Sequence, residues 1–287
     1  MIEIIKTENI DVIHAHPFFS FYPALFASQI TKTKLIYSYH GFISFNYLNT
    51  VSLASLFKYS FEVGAVAQLH TVSDSGIKCF NNLGYKNSVY MPNPIDTNRF
   101  SNAQYANNKK WAIVSRIDAD KISEIKLLLL NKDKYGIESI DIYGNGSEIE
   151  NLENFIVENN LSSSVQFMGY CSDIYNSLNQ KYNGIAGMGR VVLEGLAMGF
   201  PVFLMGYGKL SGFVTKDLYH KIASLNFTNV STSDTNFEMP NANEILEIQQ
   251  EVIKNLSAAA IMDSYINSIQ SADSIYVNNL SKIYYEL

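Results

Sequence analysis

Short apolar runs and helix-length segments take turns along this chain, and that alternation limits its fold more than any other feature. Strands are expected at 11–15, 34–39, 65–71 and 89–91. Between them, helices are expected over 19–30, 51–63 and from Asp74, read as a cap, to about residue 82. A polar, asparagine-rich stretch at 95–108 reads as a linker. The alternation then resumes, with strands at 111–115, 139–143, 165–168, 184–186 and 201–205. The helices between them fall at 122–130, 147–160, 173–180 and 190–198. After Gly208 the signal weakens, and 241–255 and 258–287 read as helical. Strands separated by helices of this length pair in parallel and are covered on both faces. The expected architecture is α/β, with two Rossmann-like doubly wound domains at 1–95 and 96–287. The closing segment, rich in Tyr, Ile and Leu, could pack across both.

Composition removes several function classes. Apolar residues make up 47% of the chain, enough for two cores, and the net charge of −6 argues against broad nucleic-acid binding through phosphates. Cys79 and Cys171 form neither a disulfide scaffold nor a CxxC metal site. The start lacks a basic region followed by a long apolar run, and no stretch nears the ~18 apolar residues of a membrane span. The expected location is cytoplasmic. The aromatic segment 19–26 and the carboxyl-terminal tyrosines suit core packing better than peripheral contact with the inner face of a membrane.

In doubly wound sheets, ligands bind outside the carboxyl ends of the strands. Those ends carry His16, His40, Ser73, Arg116, Gly144-Asn145-Gly146, Gly169-Tyr170 and Gly187-Met188-Gly189, and two such edges facing one another would make a cleft. The densest stretch is GMGRVVLEGLAMGFPV at 187–202. It reads as a glycine loop, a helix with Val191, Leu193 and Leu196 apolar, a stop at Gly199 and a new strand. Backbone amides at such a helix start suit a phosphate, and Glu194 one turn in suits a neighbouring ribose. An ordinary strand-to-helix turn with a surface glutamate fits the same residues. No nucleophile-elbow motif and no paired carboxylates on strand ends stand out. His14 reads as a core residue and His16 as a cleft residue, on opposite faces of one strand, so no metal site is expected.

Seven segments in order resemble glycosyltransferase family 4, whose members have the GT-B fold and transfer sugars from nucleotide sugars with retention. They are DVIHAH at 11–16, YHG at 39–41, TVSDSGIKCFNNLG at 71–84, MPNPIDTNRF at 91–100, SRIDADK at 115–121, IYGNGSE at 142–148 and LEGLAMGFPV at 193–202. The resemblance implies that Arg116 and Lys121 grip the donor diphosphate, doing without a metal what metals do elsewhere. It implies that Glu194 meets the donor ribose and that His40 lies near the donor phosphate and reacting sugar. Gly144, Gly146, Tyr170, Gly187, Met188, Gly189 and Arg190 then belong to the donor side, and His16 and Ser73 to the acceptor side. Asn93 fits a hinge.

Two departures qualify the match. Glu194 is the second glutamate of the family's E-x7-E motif, but Ala186 stands at the first. Arg190 replaces an apolar residue, placed to pair with Glu194 or to reach a phosphate or an acidic donor. The amino-terminal domain is also short for an acceptor domain: its first strands are missing, or a partner chain supplies them, or the remnant folds as it stands. The expected activity is transfer from a UDP- or GDP-sugar to a glycan, lipid-linked or protein hydroxyl, without metal or cofactor. Surface polysaccharide or glycoprotein synthesis is the usual setting of such bacterial relatives. The alternative is a non-catalytic GT-B remnant that binds a partner glycosyltransferase or a nucleotide. A sugar-nucleotide epimerase would need acidic catalytic residues that do not stand out.

Overall fold

The structure is a computed structural model that describes residues 1–16, 19–41, 51–100, 103–228 and 237–276. The chain divides into two compact units, Met1–Pro92 with Ile261–Leu287, and Asn93–Ala260. The segment from Ile261 therefore groups with the first unit, whereas the sequence reading assigned it to a domain spanning 96–287. Of the closing helix expected over 258–287, Ala258–Gln270 is helical, and 277–287 lie outside the described residues.

The first unit runs α1 (Ile2–Thr7), β1 (Val12–Ala15), α2 (Phe21–Thr31), β2 (Lys34–Tyr39), α3 (Val51–Glu62), β3 (Gln68–Thr71), α4 (Asp74–Asn82) and β4 (Ser88–Tyr90). Its strands lie in the order β1-β2-β3-β4, all parallel. Covered strands of this kind are apolar almost throughout, as the run LIY in β2 is. Leu35, Tyr37 and Leu69 pack with Phe21 and Leu25 from α2, Phe57 and Phe61 from α3, and Phe80 from α4. The aromatic segment thus does send Phe21 into the core, where its ring stacks on Phe61 with centroids 5.7 Å apart. Helix α1 was not expected, because six residues with a single buried side chain, Ile5, carry no periodic signal. The cap of α4 is Ser73, not Asp74: the Ser73 hydroxyl accepts the Gly76 N–H, and Asp74 is the first helical residue.

The second unit holds α5 (Thr97–Phe100), β5 (Lys110–Val114), α6 (Ile122–Asn131), β6 (Ser139–Tyr143), α7 (Ile149–Glu158), β7 (Val165–Gly169), α8 (Ile174–Leu178), β8 (Gly184–Gly187), α9 (Arg190–Ala197), β9 (Val202–Met205), β10 (Leu210–Phe213), α10 (Lys216–Ala223), α11 (Ala242–Leu256) and the start of α12 (Ala258–Gln270). The strand order is β10-β9-β8-β5-β6-β7. Every pair is parallel except β10 with β9, which form an antiparallel edge. That edge and α10 fill the region after Gly208 where the sequence signal weakened. The stretch at 95–108 is more than a linker. Ile95 and Phe100 are buried, and Ile95 bridges to Ser257, so two apolar anchors sit inside a polar composition.

Trp111 fills the middle of the second sheet, and its neighbour Gly184 is required there. A Cβ on Gly184 would come 2.3 Å from the indole ring. The order reverses between β8 and β5: the chain leaves β5 towards β6 and β7, then returns to β8 on the other side. Outside the carboxyl ends of those two strands a doubly wound sheet opens its ligand crevice. The residues that follow β5 are Ser115 and Arg116, and Met188 and Gly189 follow β8. Among the described residues no helix is long and apolar enough to cross a membrane.

Candidate functional site

The end of β5 opens on a cavity of about 420 Å³ whose lining includes Arg116, Tyr143, Gly144, Asn145, Tyr170 and Val191. Three of the donor-side residues expected from sequence, Arg116, Gly144 and Tyr170, therefore share one cavity, and Val191 brings in the first turn of α9. The loops that follow β5 and β6 are held together by backbone bonds. Ile117 N–H donates to Asn145 O at 2.9 Å, and Glu148 N–H to Ile117 O at 2.8 Å. This approach explains the glycines of GNG: a Cβ on Gly144 would sit 1.9 Å from the Ser115 carbonyl oxygen, and one on Gly146 2.2 Å from that of Ile117.

Arg116 and Lys121 meet through a residue that the sequence reading passed over. Asp120 Oδ2 lies 3.3 Å from Arg116 Nη2 and 3.7 Å from Lys121 Nζ. Asp118 takes the other arm of the guanidinium at 2.7 Å and also accepts the Ser147 N–H. Two cations and two carboxylates thus balance at the strand end. The alternating acids of R-x-D-x-D-K were a visible signal for this. Lys121 is nine-tenths buried and reaches Met188 Sδ at 3.8 Å, which ties the basic pair to the loop after β8.

On that loop Gly189 takes φ 64° and caps α9. Its N–H donates to Phe227 O at 2.6 Å, so it is not one of the bare amides expected at this helix start. Glu194 is buried at 9% exposure, not a surface glutamate, and Arg190 Nε donates to its Oε1 at 2.8 Å. Arg190 Nη1 also reaches the Pro94 carbonyl at 3.3 Å. Burial pushes the Glu194 carboxyl above its ordinary range, and the Arg190 charge and hydrogen bond pull against that rise. Ala186, at the first position of the E-x7-E pattern, is fully buried in the sheet core.

In the first unit, His16 and His40 come together. His16 Nδ1 and His40 Nε2 are 2.8 Å apart, so one ring donates and the other accepts. His14 and His16 share a face, as residues two apart on a strand must, and their rings lie 4.2 Å apart. This corrects the opposite-face reading. His14 is anchored on both sides, by Ser38 and by the Tyr265 hydroxyl. His70, which the sequence did not single out, faces His14 edge-on at 6.0 Å and bonds Ser268 at 2.8 Å. Burial and the neighbouring imidazoles bring His14 and His70 down to about 4, and lower His40. Ser73 is buried and occupied as a cap. Asn93 donates to Asn226 Oδ1 at 2.8 Å. Among the described residues no group of three or more His, Cys, Asp or Glu is placed to hold a metal ion.

The family model named Glycosyltransferase Family 4 matches residues 1–99. No curated protein sequence matches the chain. Several solved structures share its fold. HepE from Anabaena, in complex with UDP, superposes with a TM-score of 0.68 at 18% identity, over 94% of this chain and 81% of its own. The sucrose-phosphate synthase of Thermosynechococcus elongatus gives 0.62 at 15% identity, over 94% and 77%. The pneumococcal O-GlcNAc transferase GtfA, in complex with UDP and GlcNAc, gives 0.59 at 15% identity, over 94% and 59%. The first 99 residues thus match that family's model, and the chain as a whole has the fold of the GT-B glycosyltransferases.

Proposed function

We propose that the chain is a retaining glycosyltransferase that takes its sugar from a UDP- or GDP-sugar and passes it to a hydroxyl of a glycan, lipid-linked or protein acceptor. The observation that carries the reading is the convergence of Arg116, which lines the cavity at the end of β5, and Lys121 on Asp120, with Val191 of the helix that carries Glu194 in the same lining. Two fixed cations there stabilise a departing nucleoside diphosphate without a metal ion. In the proposed step the bond from the anomeric carbon to the diphosphate oxygen breaks and one to the acceptor oxygen forms on the same face. The acceptor proton passes to the departing diphosphate. Glu194 accepts the ribose hydroxyls, and Gly144, Gly146, Tyr170 and the Gly187–Gly189 turn shape the donor side. His40, hydrogen-bonded to His16, keeps the sugar-side role that the resemblance gives it. UDP is the first nucleotide to test, because HepE of similar fold is known with UDP-glucose. Glycan or surface-polysaccharide synthesis in the cytoplasm is the setting this activity suits.

The test is sugar transfer or donor hydrolysis with a panel of UDP- and GDP-sugars in the presence of EDTA. Activity that survives EDTA and is lost in Arg116→Ala supports the reading, and wild-type turnover in Arg116→Ala refutes it. Ala186 favours a second reading, a GT-B protein that binds nucleotide or a partner transferase without turnover. Tight UDP binding with neither transfer nor hydrolysis would select that one.

A further inference from the structure

Lys121 poses a problem of its own. An ammonium nine-tenths removed from solvent needs partners, and its contacts to Asp120 at 3.7 Å and to Met188 Sδ at 3.8 Å are both long. The close partner is an aromatic face: Lys121 Nζ sits 3.5 Å from the centroid of the Tyr207 ring. A cation over the centre of a phenol ring is attracted by the ring's quadrupole, and more strongly where water is excluded.

Tyr207 is placed by the turn between β9 and β10. Gly206 N–H closes that turn onto Lys209 O at 2.9 Å, and Gly208 takes φ 68°. The turn is fastened to α6 by a buried carboxylate. Gly208 N–H donates to Glu124 Oε2 at 3.2 Å, and the Ser123 hydroxyl donates to the same oxygen at 2.9 Å. Glu124 is 1% exposed, and its Oε1 has no hydrogen-bond partner among the described residues, so its hold on Gly208 is made by Oε2. The first turn of α6 therefore carries Lys121 at its cap and, three residues on, the anchor of the ring that faces Lys121.

We propose that Tyr207 is a positioning residue: it holds the Lys121 ammonium beside the loop after β8, in the place from which it meets the donor diphosphate. The role rests on the donor reading above. Without the ring the ammonium swings towards Asp120 and solvent, and the basic pair loses its fixed geometry.

Two readouts separate this role from the donor reading. The first needs no nucleotide. Lysines of the protein are reductively methylated with ¹³C, and the Lys121 resonance is assigned by its loss in Lys121→Ala. The ring current of Tyr207 moves that resonance upfield in wild type and in Tyr207→Phe, and Tyr207→Leu returns it to the position of the other lysines. An unshifted resonance in wild type overturns the proposal and leaves the donor reading standing.

The second readout is UDP and GDP binding by calorimetry. Tyr207→Phe binds as wild type does, and Tyr207→Leu binds about tenfold more weakly. In the Lys121→Ala background the Leu substitution adds no further loss. Equal loss in both backgrounds, or none in either, overturns the positioning role. A shifted resonance with no nucleotide binding by wild type overturns the role together with the donor reading.

Discussion

Arg190 Nε lies 2.8 Å from Glu194 Oε1, four residues apart on α9, and the pair sets the charge of the acid proposed to meet the donor ribose. Burial raises the Glu194 carboxyl and Arg190 opposes the rise. Arg190→Met therefore lets the carboxyl rise further. Protonation removes acceptor capacity, so UDP binding weakens as pH falls through the Glu194 value. That acid limb is expected to move to higher pH in Arg190→Met. Calorimetric titrations between about pH 5 and 8 check it, and an unmoved limb would separate Glu194 from the nucleotide.

On the proposed function, Asp120 competes with the donor for Arg116 and Lys121. Its Oδ2 serves both Arg116 and Lys121, so an entering diphosphate must draw two cations away from a carboxylate. Asp120→Asn should tighten UDP binding by about two- to fivefold, the scale of a partly exposed ion pair. The gain should shrink as salt is raised. Arg116→Ala should weaken binding by about tenfold or more. Binding that is indifferent to both substitutions would place the diphosphate elsewhere.

The strand ends were legible because covered parallel strands are apolar runs, and a break in such a run marks the end of the strand. β2, β5 and β9 show this, and with the end of β5 came Arg116. The glycines of GNG and GMG were legible for the same reason, since each marks a place where another backbone comes close or φ is positive. What failed to show was pairing between distant segments. Nothing near Gly189 in sequence points to the Phe227 carbonyl, and nothing near Lys121 points to Tyr207. Ile95 and Phe100 hid in a polar stretch because two buried side chains cannot dominate a fourteen-residue composition. The shared face of His14 and His16 was available from strand geometry alone, and the structure supplies its consequence in the partners Tyr265 and Ser38.

Gly144 tests whether the two loops must touch. A Cβ there would lie 1.9 Å from a backbone carbonyl, which cannot rotate away as a side chain can. Gly144→Ala is expected to destabilise the protein by about 1–3 kcal/mol and to push Ser115 and Arg116 off the cavity wall. Thermal unfolding should show the loss of stability, and UDP titration a matching loss of affinity. Gly136→Ala is the contrasting variant: its Cβ would meet nothing within 4 Å, its left-handed φ of 72° accounts for any cost, and it lies away from the cavity lining. Equal UDP affinity in the two variants would remove the loops from nucleotide binding.

The imidazole cluster makes the first unit sensitive to acid. His14 and His70 titrate near 4 in the folded chain because burial, and then the neighbouring imidazoles, disfavour their charged forms. In the unfolded chain both take up a proton near the ordinary value of about 6.5. Below that pH the unfolded state binds more protons than the native state, so stability rises with pH through this window. The contribution is fully present above about 6.5 and is lost progressively as pH falls towards about 4. Urea unfolding at steps from pH 7.5 down to 4.5 should show this slope. His70→Gln keeps a hydrogen-bonding group near Ser268 and removes one of the three lowered imidazoles. It should flatten the slope in part and gain on wild type as the medium becomes acidic. A variant whose stability runs parallel to wild type across the whole range would mean that His70 takes up its proton at the same pH folded and unfolded.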